Sequence, residues 1–190
     1  MSALSDLYPL VRQRCAGVID IMMDDALRDA YRAFCEKSEF VSHDFKLTKL
    51  TPAKKETLTP PLGYSILKIE SIETGKEKHL NVGDDYSFNP ITQELKVNAN
   101  QDSLAVVAIL KPKVSFDPSS VNEYLIDNFS EALAAGAAKS LRMQVGTKWY
   151  NPELAQFYER EFVEGYREAY RLRRDSFNTF HNKQRKHSFY

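Results

Sequence analysis

Apolar and polar positions along the chain change period twice, and the changes divide it into three stretches. In the first stretch, up to residue 38, Met23, Leu27, Ala30 and Phe34 recur at i, i+4, i+7 and i+11. That spacing lines one face of a helix ending near Ser38. Asp20, Asp24 and Asp25 sit at its start, where the helix dipole favours negative charge. Ahead of it, Ser5 and Asp6 read as an N-cap, with Leu7, Leu10 and Val11 as a short apolar face and Pro9 in the first turn. Ala16-Gly17 breaks this first helix.

From residue 39 the period falls to two. Phe45 and Leu47 alternate with Lys46 and Thr48, and Leu67 and Ile69 alternate with Lys68 and Glu70. Leu80-Asn81-Val82, Tyr86-Ser87-Phe88, Leu95-Lys96-Val97 and the run Leu104 to Leu110 complete a set of short strands. Turn chemistry separates them at Pro60-Pro61-Leu62-Gly63, Thr74-Gly75, Gly83-Asp84-Asp85 and Asn89-Pro90. The pattern predicts a small antiparallel sandwich or barrel over 39–116.

Helical spacing returns at Asp117-Pro118-Ser119-Ser120, read as an N-cap followed by proline at the first helical position. Val121, Leu125, Phe129, Ala132 and Gly136 mark one face, widened by Leu133, Ala137 and Leu141, and Gly146 closes the helix. The run Ala134-Ala135-Gly136-Ala137-Ala138 lets another helix approach closely. Asn151-Pro152-Glu153 opens the last helix, with Leu154, Tyr158, Phe162, Gly165, Ala169 and Leu172 on its face. The whole reads as α+β: a helical bundle from the N- and C-terminal helices (1–38 and 117–175), an inserted antiparallel β domain (39–116) and an extended arm (176–190).

Charge sharpens this picture. The 190 residues carry 26 basic and 26 acidic side chains, a formal net charge of zero. Segments 1–38, 39–117, 118–165 and 166–190 hold −1, −1, −3 and +5 respectively. A basic surface overall is thereby excluded, while the C-terminus is a local exception. Lys183, Arg185 and Lys186 alternate there with Phe177, Phe180, Phe189 and Tyr190. Aromatic side chains in a polar terminus are costly to leave in water, so this arm is expected to dock, on nucleic acid or on an acidic groove of a protein. Trp149, the only tryptophan, lies between the last two helices in Trp149-Tyr150-Asn151-Pro152. It reads either as an aromatic plug fixing the inter-helix angle or as an exposed recognition anchor.

Catalytic patterns are missing. None of the common nucleophile-elbow, zinc-protease, phosphate-loop or dinucleotide motifs occurs. His43, His79, His181 and His187 have no partnered nucleophile, Asp24-Asp25 and Asp84-Asp85 read as helix start and turn, and Cys15 and Cys35 read as small core residues. No cofactor or metal is expected, and no stretch is long and apolar enough to span a membrane.

The stretches DDALRDAYRAFCEKSEF and EALAAGAAKSLRMQVGTKWYNPELAQFYEREFVEGYREAYRLRR resemble head–tail adaptor proteins of tailed bacteriophages, also called connector or head-completion proteins. The opening SALSDLYPLVRQRCAGV looks like their first helix, and the Lys148–Pro152 turn is the most distinctive piece. Where relatives often carry a proline turn ahead of the tryptophan, this chain has Val145-Gly146-Thr147. The resemblance implies a non-enzymatic virion protein, made in the bacterial host cytoplasm and placed at the head–tail interface. It implies a self-assembled ring, commonly a dodecamer, below the portal protein ring. Genomic DNA passes through the channel without sequence-specific binding, and a tail or nozzle protein docks beneath. The arm would meet the portal, and the insert would face the tail. The alternative is a nucleic-acid-binding module using the basic C-terminus.

Overall fold

A computed structural model describes residues 3–52, 54–75, 79–119 and 121–176. Four helices, α1 (Tyr8–Arg14), α2 (Asp20–Ser38), α3 (Glu123–Arg142) and α4 (Pro152–Ser176), enclose six strands in chain order. These are β1 (Ser42–Leu50), β2 (Lys55–Thr57), β3 (Tyr64–Thr74), β4 (Tyr86–Asn89), β5 (Glu94–Val97) and β6 (Gln101–Pro112). The fold is α+β.

α2, α3 and α4 pack on one another, and α1 lies on α3. Small residues set the spacing of the seam between α3 and α4. A Cβ on Gly136 would meet the Phe162 ring at 2.5 Å, and one on Gly165 would collide with the Ala132 methyl. Each helix thus has a glycine where its neighbour presents a side chain, and the close approach expected from the Ala134–Ala138 run is present. Phe34 fills the centre, 5.5 Å from the Phe129 ring and 6.0 Å from that of Phe162. α3 bends at Phe129, whose φ of −128° and ψ of 23° are not helical.

The strands form two three-stranded antiparallel sheets, ordered β1-β6-β3 and β2-β5-β4. Their inner faces share one apolar cluster, including Ile66, Ile72, Leu95, Val97, Leu104 and Val106. β6 lies between two strands and packs on α2, which accounts for its unbroken apolar run.

Several local expectations are corrected. β3 does not bury Leu67 and Ile69 as an alternating pair; Ile66 and Ile72 are buried, with Ile69 half-buried between them. Register shifts at Ile66/Lys68 and Ile69/Ser71 each add a residue on β3, so Ile66, Ile69 and Ile72 face Leu110, Ala108 and Val106 at every second position of β6. Leu80-Asn81-Val82 makes only isolated bridges, and β2 lies in a lysine-rich stretch with no strand pattern.

At the N-terminus the cap is Ala3, whose N–H donates to the Asp6 carboxylate at 3.0 Å, and a 3-10 turn over Leu4–Leu7 precedes α1. α3 starts at Glu123 rather than after Asp117, because Ser119 satisfies the Asp117 carboxylate locally through its N–H and hydroxyl at 2.9 and 2.8 Å. Asn122 caps α3 instead, accepting from the Leu125 N–H at 3.3 Å. The helix closes at Arg142, four residues before Gly146. In α4, Ala155, Phe162, Gly165, Ala169 and Arg173 face inward, while Leu154 and Leu172 are exposed. Ser176, the first residue assigned to the arm, belongs to α4.

Candidate functional site

The turn between α3 and α4 is held from both sides. Asn151 caps α4, its Oδ1 accepting from the Leu154 N–H at 3.0 Å, and its own N–H donates to the Arg142 carbonyl at 2.9 Å. Pro152 takes the first helical position, where no N–H is needed. Trp149 is half-buried against the bundle core, and Tyr150 is exposed. Arg142 reaches the Trp149 carbonyl at 3.1 Å and also donates to the Arg14 carbonyl, tying the turn to the end of α1. A cationic side chain near a helix C-terminus suits the unpaired carbonyls there.

These contacts gather two chain breaks, the α1–α2 loop and the α3–α4 turn, at one end of the bundle. Cys15 Sγ lies 3.8 Å from the Ala138 carbonyl, and α2 runs antiparallel to α3, with Ala30 beside Gly136 and Phe34 beside Phe129. The loop before α2, the α3–α4 turn and the first turns of α4 therefore adjoin. Ile19, Ile21, Met143, Val145, Tyr150, Leu154 and Phe157 all lie exposed in these segments, Val145 at 82% and Ile21 at 73%. A grouping of exposed apolar side chains at one end of a domain marks a contact surface.

The opposite end carries the β insert, joined to the bundle by aromatic contacts, among them Phe40 stacked on Tyr124 at 5.3 Å, and by polar pairs. Arg173, 3% exposed, pairs with Glu70 of β3. Lys68 pairs with Glu39 at 2.6 Å, and Lys111 lies 3.9 Å from Glu36. Glu39 closes α2 at a left-handed φ of 53°, a position glycine usually takes. Tyr31, fully buried, accepts from the Asn122 N–H at 2.9 Å, stacks on Phe116 at 5.6 Å and is hydrogen-bonded to Tyr64 at the start of β3. Burial pushes its hydroxyl far above the usual tyrosine range. The adjacent Cys35 thiol is pushed up to about 12, chiefly by burial.

Arm residues Phe177, Phe180, Lys183, Arg185, Lys186, Phe189 and Tyr190 lie outside the described residues, as do His181 and His187. The arm's root is placed by Arg173 and Glu70, at the insert end of the bundle. His43 packs edge-on to Phe45 at 4.8 Å, and His79 lies 3.5 Å from Glu73. Asp24 pairs with Arg28 at 2.7 Å, and Asp85 accepts from the Asn81 N–H at 2.9 Å in its turn. Among the described residues no three His, Cys, Asp or Glu side chains gather as a metal site, and no helix is long and apolar enough to cross a membrane. Arg142 and Tyr31 carry no signal in the sequence. Arg173 reads from sequence with Arg167, Arg171 and Arg174 as positive charge crowding the end of the last helix, where the dipole favours it, but it is buried on Glu70, continuing the 162, 165, 169 spacing of the inward face of α4. Neither the family models nor the curated proteins compared with this chain include a match.

Proposed function

We propose that the chain is a head–tail adaptor of a tailed bacteriophage, a structural virion protein. Copies form a ring below the portal, extend the DNA channel and offer a platform to the tail or nozzle. The observation that carries this reading is the two-ended body. An exposed apolar surface at the far end of the bundle suits burial against a partner ring, and an ion-paired β insert occupies the other end. The sequence resemblance supplies the identity of the partners.

A pull-down on the portal of the same phage tests the reading. The full chain is expected to be retained. Deletion of 177–190, or V145D together with F157D at the apolar end, is expected to lower retention at least tenfold. Undiminished retention of both variants would refute the docking assignment. The rival nucleic-acid module predicts steeply salt-dependent binding of the isolated chain to DNA; the adaptor reading expects weak binding to free DNA.

A further inference from the structure

Two loops of the β insert stand out by what they lack. Residues 39–117 carry ten lysines and eleven carboxylates. None of these falls in 58–63, which joins β2 to β3, or in 90–93, which joins β4 to β5. Depletion of charge on an otherwise charged surface is the compositional mark of an interface centre. The two loops line one hollow of about 430 Å³. On it stand Leu62 and Ile91, with 100% and 91% of their surface in water. Each leaves unspent the hydrophobic free energy that a contact would recover.

Both tips are held in place. Pro60 and Pro61 restrict the backbone of the first, and the Tyr64 N–H donates back to the Pro61 carbonyl at 3.1 Å. Gly63 turns at a φ of 82°, and a Cβ there would stand 3.3 Å from Phe116 of the bundle core. Its carbonyl accepts from the Lys113 N–H at 2.8 Å. In the second tip, Asn89 Oδ1 accepts from the Ile91 and Thr92 N–H groups at 2.9 and 3.4 Å. The Leu58 N–H joins the two by donating to the Gln93 carbonyl at 2.9 Å. A surface fixed in this way loses little entropy when it is covered.

Charge narrows what the hollow accepts. Lys113 is the one ionisable residue on its wall. It is exposed and forms no ion pair with a described residue. The carboxylates that flank the two loops in sequence, Glu56 and Glu94, are answered by Lys54 and Lys55, each at 3.0 Å.

We propose that this hollow binds a peptide segment of another protein, seating a bulky apolar side chain between Leu62 and Ile91 and a carboxylate against Lys113. Charge complementarity selects this occupant. The chain's own C-terminal arm would bring Lys183, Arg185 and Lys186 toward Lys113. A two-fold pair of copies would set Lys113 against its own equivalent. The proposal is independent of the adaptor reading.

Selection of a random library of short linear peptides on the immobilised full chain tests it. Enriched sequences are expected to place an aliphatic or aromatic residue beside an Asp or Glu. Binding of one such peptide, read by fluorescence anisotropy, is expected to fall at least tenfold in L62D/I91D. The urea midpoint of that variant is expected to stay at the wild-type value, because both side chains are already solvated. Binding also falls in K113E and returns when the carboxylate of the peptide is exchanged for lysine. Three results would overturn the site: no enriched sequence, selected peptides that bind L62D/I91D as they bind wild type, or a charge exchange that fails to restore binding. Self-association of the wild type in sedimentation velocity that is abolished in L62D/I91D would also overturn it, making a second copy the occupant. Retention on the portal is a separate measurement, so each of these failures leaves the adaptor reading standing.

Discussion

The α3–α4 seam and the junction between bundle and insert both hold large surfaces together, with different emphasis. At the centre of the seam the fit is one of shape, Gly136 receiving Phe162 and Gly165 receiving Ala132, with the Lys139–Glu159 pair at its edge. The junction adds directional charge and hydrogen bonds to its aromatic packing: Arg173 with Glu70, Lys68 with Glu39, and the Tyr31 hydroxyl serving Asn122 and Tyr64, beside the Tyr31–Phe116 and Phe40–Tyr124 stacks. Apolar packing supplies most of a domain's stability but is non-directional, whereas hydrogen-bonded ion pairs fix orientation at little net gain. The seam therefore makes the bundle stable, and the junction aims the insert. Under the proposed adaptor role, with two ends meeting different partners, the aim would matter as much as the stability.

The largest expected effect comes from breaking the seam's centre. Phe34→Ala removes a ring in contact with Phe129 and Phe162 and is expected to cost about 3–5 kcal/mol, read by urea denaturation. Gly165→Ala drives a methyl into Ala132 and is expected to cost roughly 1–3 kcal/mol. If neither variant lowered the midpoint, the close packing of α3 on α4 would be wrong.

At the junction the expected signature differs in kind. Arg173→Met is expected to cost about 1–2 kcal/mol, because Glu70 is partly exposed and regains water. Its main effect appears in hydrogen exchange, where β3 amides near Glu70 lose protection while those of α3 keep it. Equal loss in both elements would mean that the junction carries stability rather than orientation. Tyr31→Phe removes an acceptor from the partly buried Asn122 N–H and is expected to cost about 1 kcal/mol, with exchange rising at the start of α3.

The smallest effect is electrostatic. The Ser119 N–H, and then its hydroxyl, hold the Asp117 carboxyl below the usual carboxylate range. A lowered folded-state pKa contributes stability above the unfolded value, lost as pH falls through the folded one. Asp117→Asn is therefore expected to be slightly less stable at neutral pH and to show a shallower loss below about pH 4. An unchanged acid limb in a pH series would remove Asp117 from the account.

The α+β class, with helices at either end of a strand-rich stretch, was legible because apolar spacing of 3.6 or 2 is a local property that packing here respects. Errors arose where a non-local partner changed the phase. The two register shifts of β3 exist only against β6, and the start of α3 moved because Ser119 competes for the Asp117 carboxylate. At the candidate site, the Asn151-Pro152 cap was readable from its residue types, whereas Arg142 and Tyr31 act on groups more than ninety residues away. The exposed apolar end was invisible for the same reason: Ile21 and Val145 become neighbours only when α2 runs antiparallel to α3.

Electron microscopy of the full chain mixed with the portal of the same phage tests the central claim most directly. The account expects a second ring stacked coaxially on the portal, with the β inserts on the side facing away from it. Portal rings with no added layer, under conditions where the chain is folded and in excess, would contradict it.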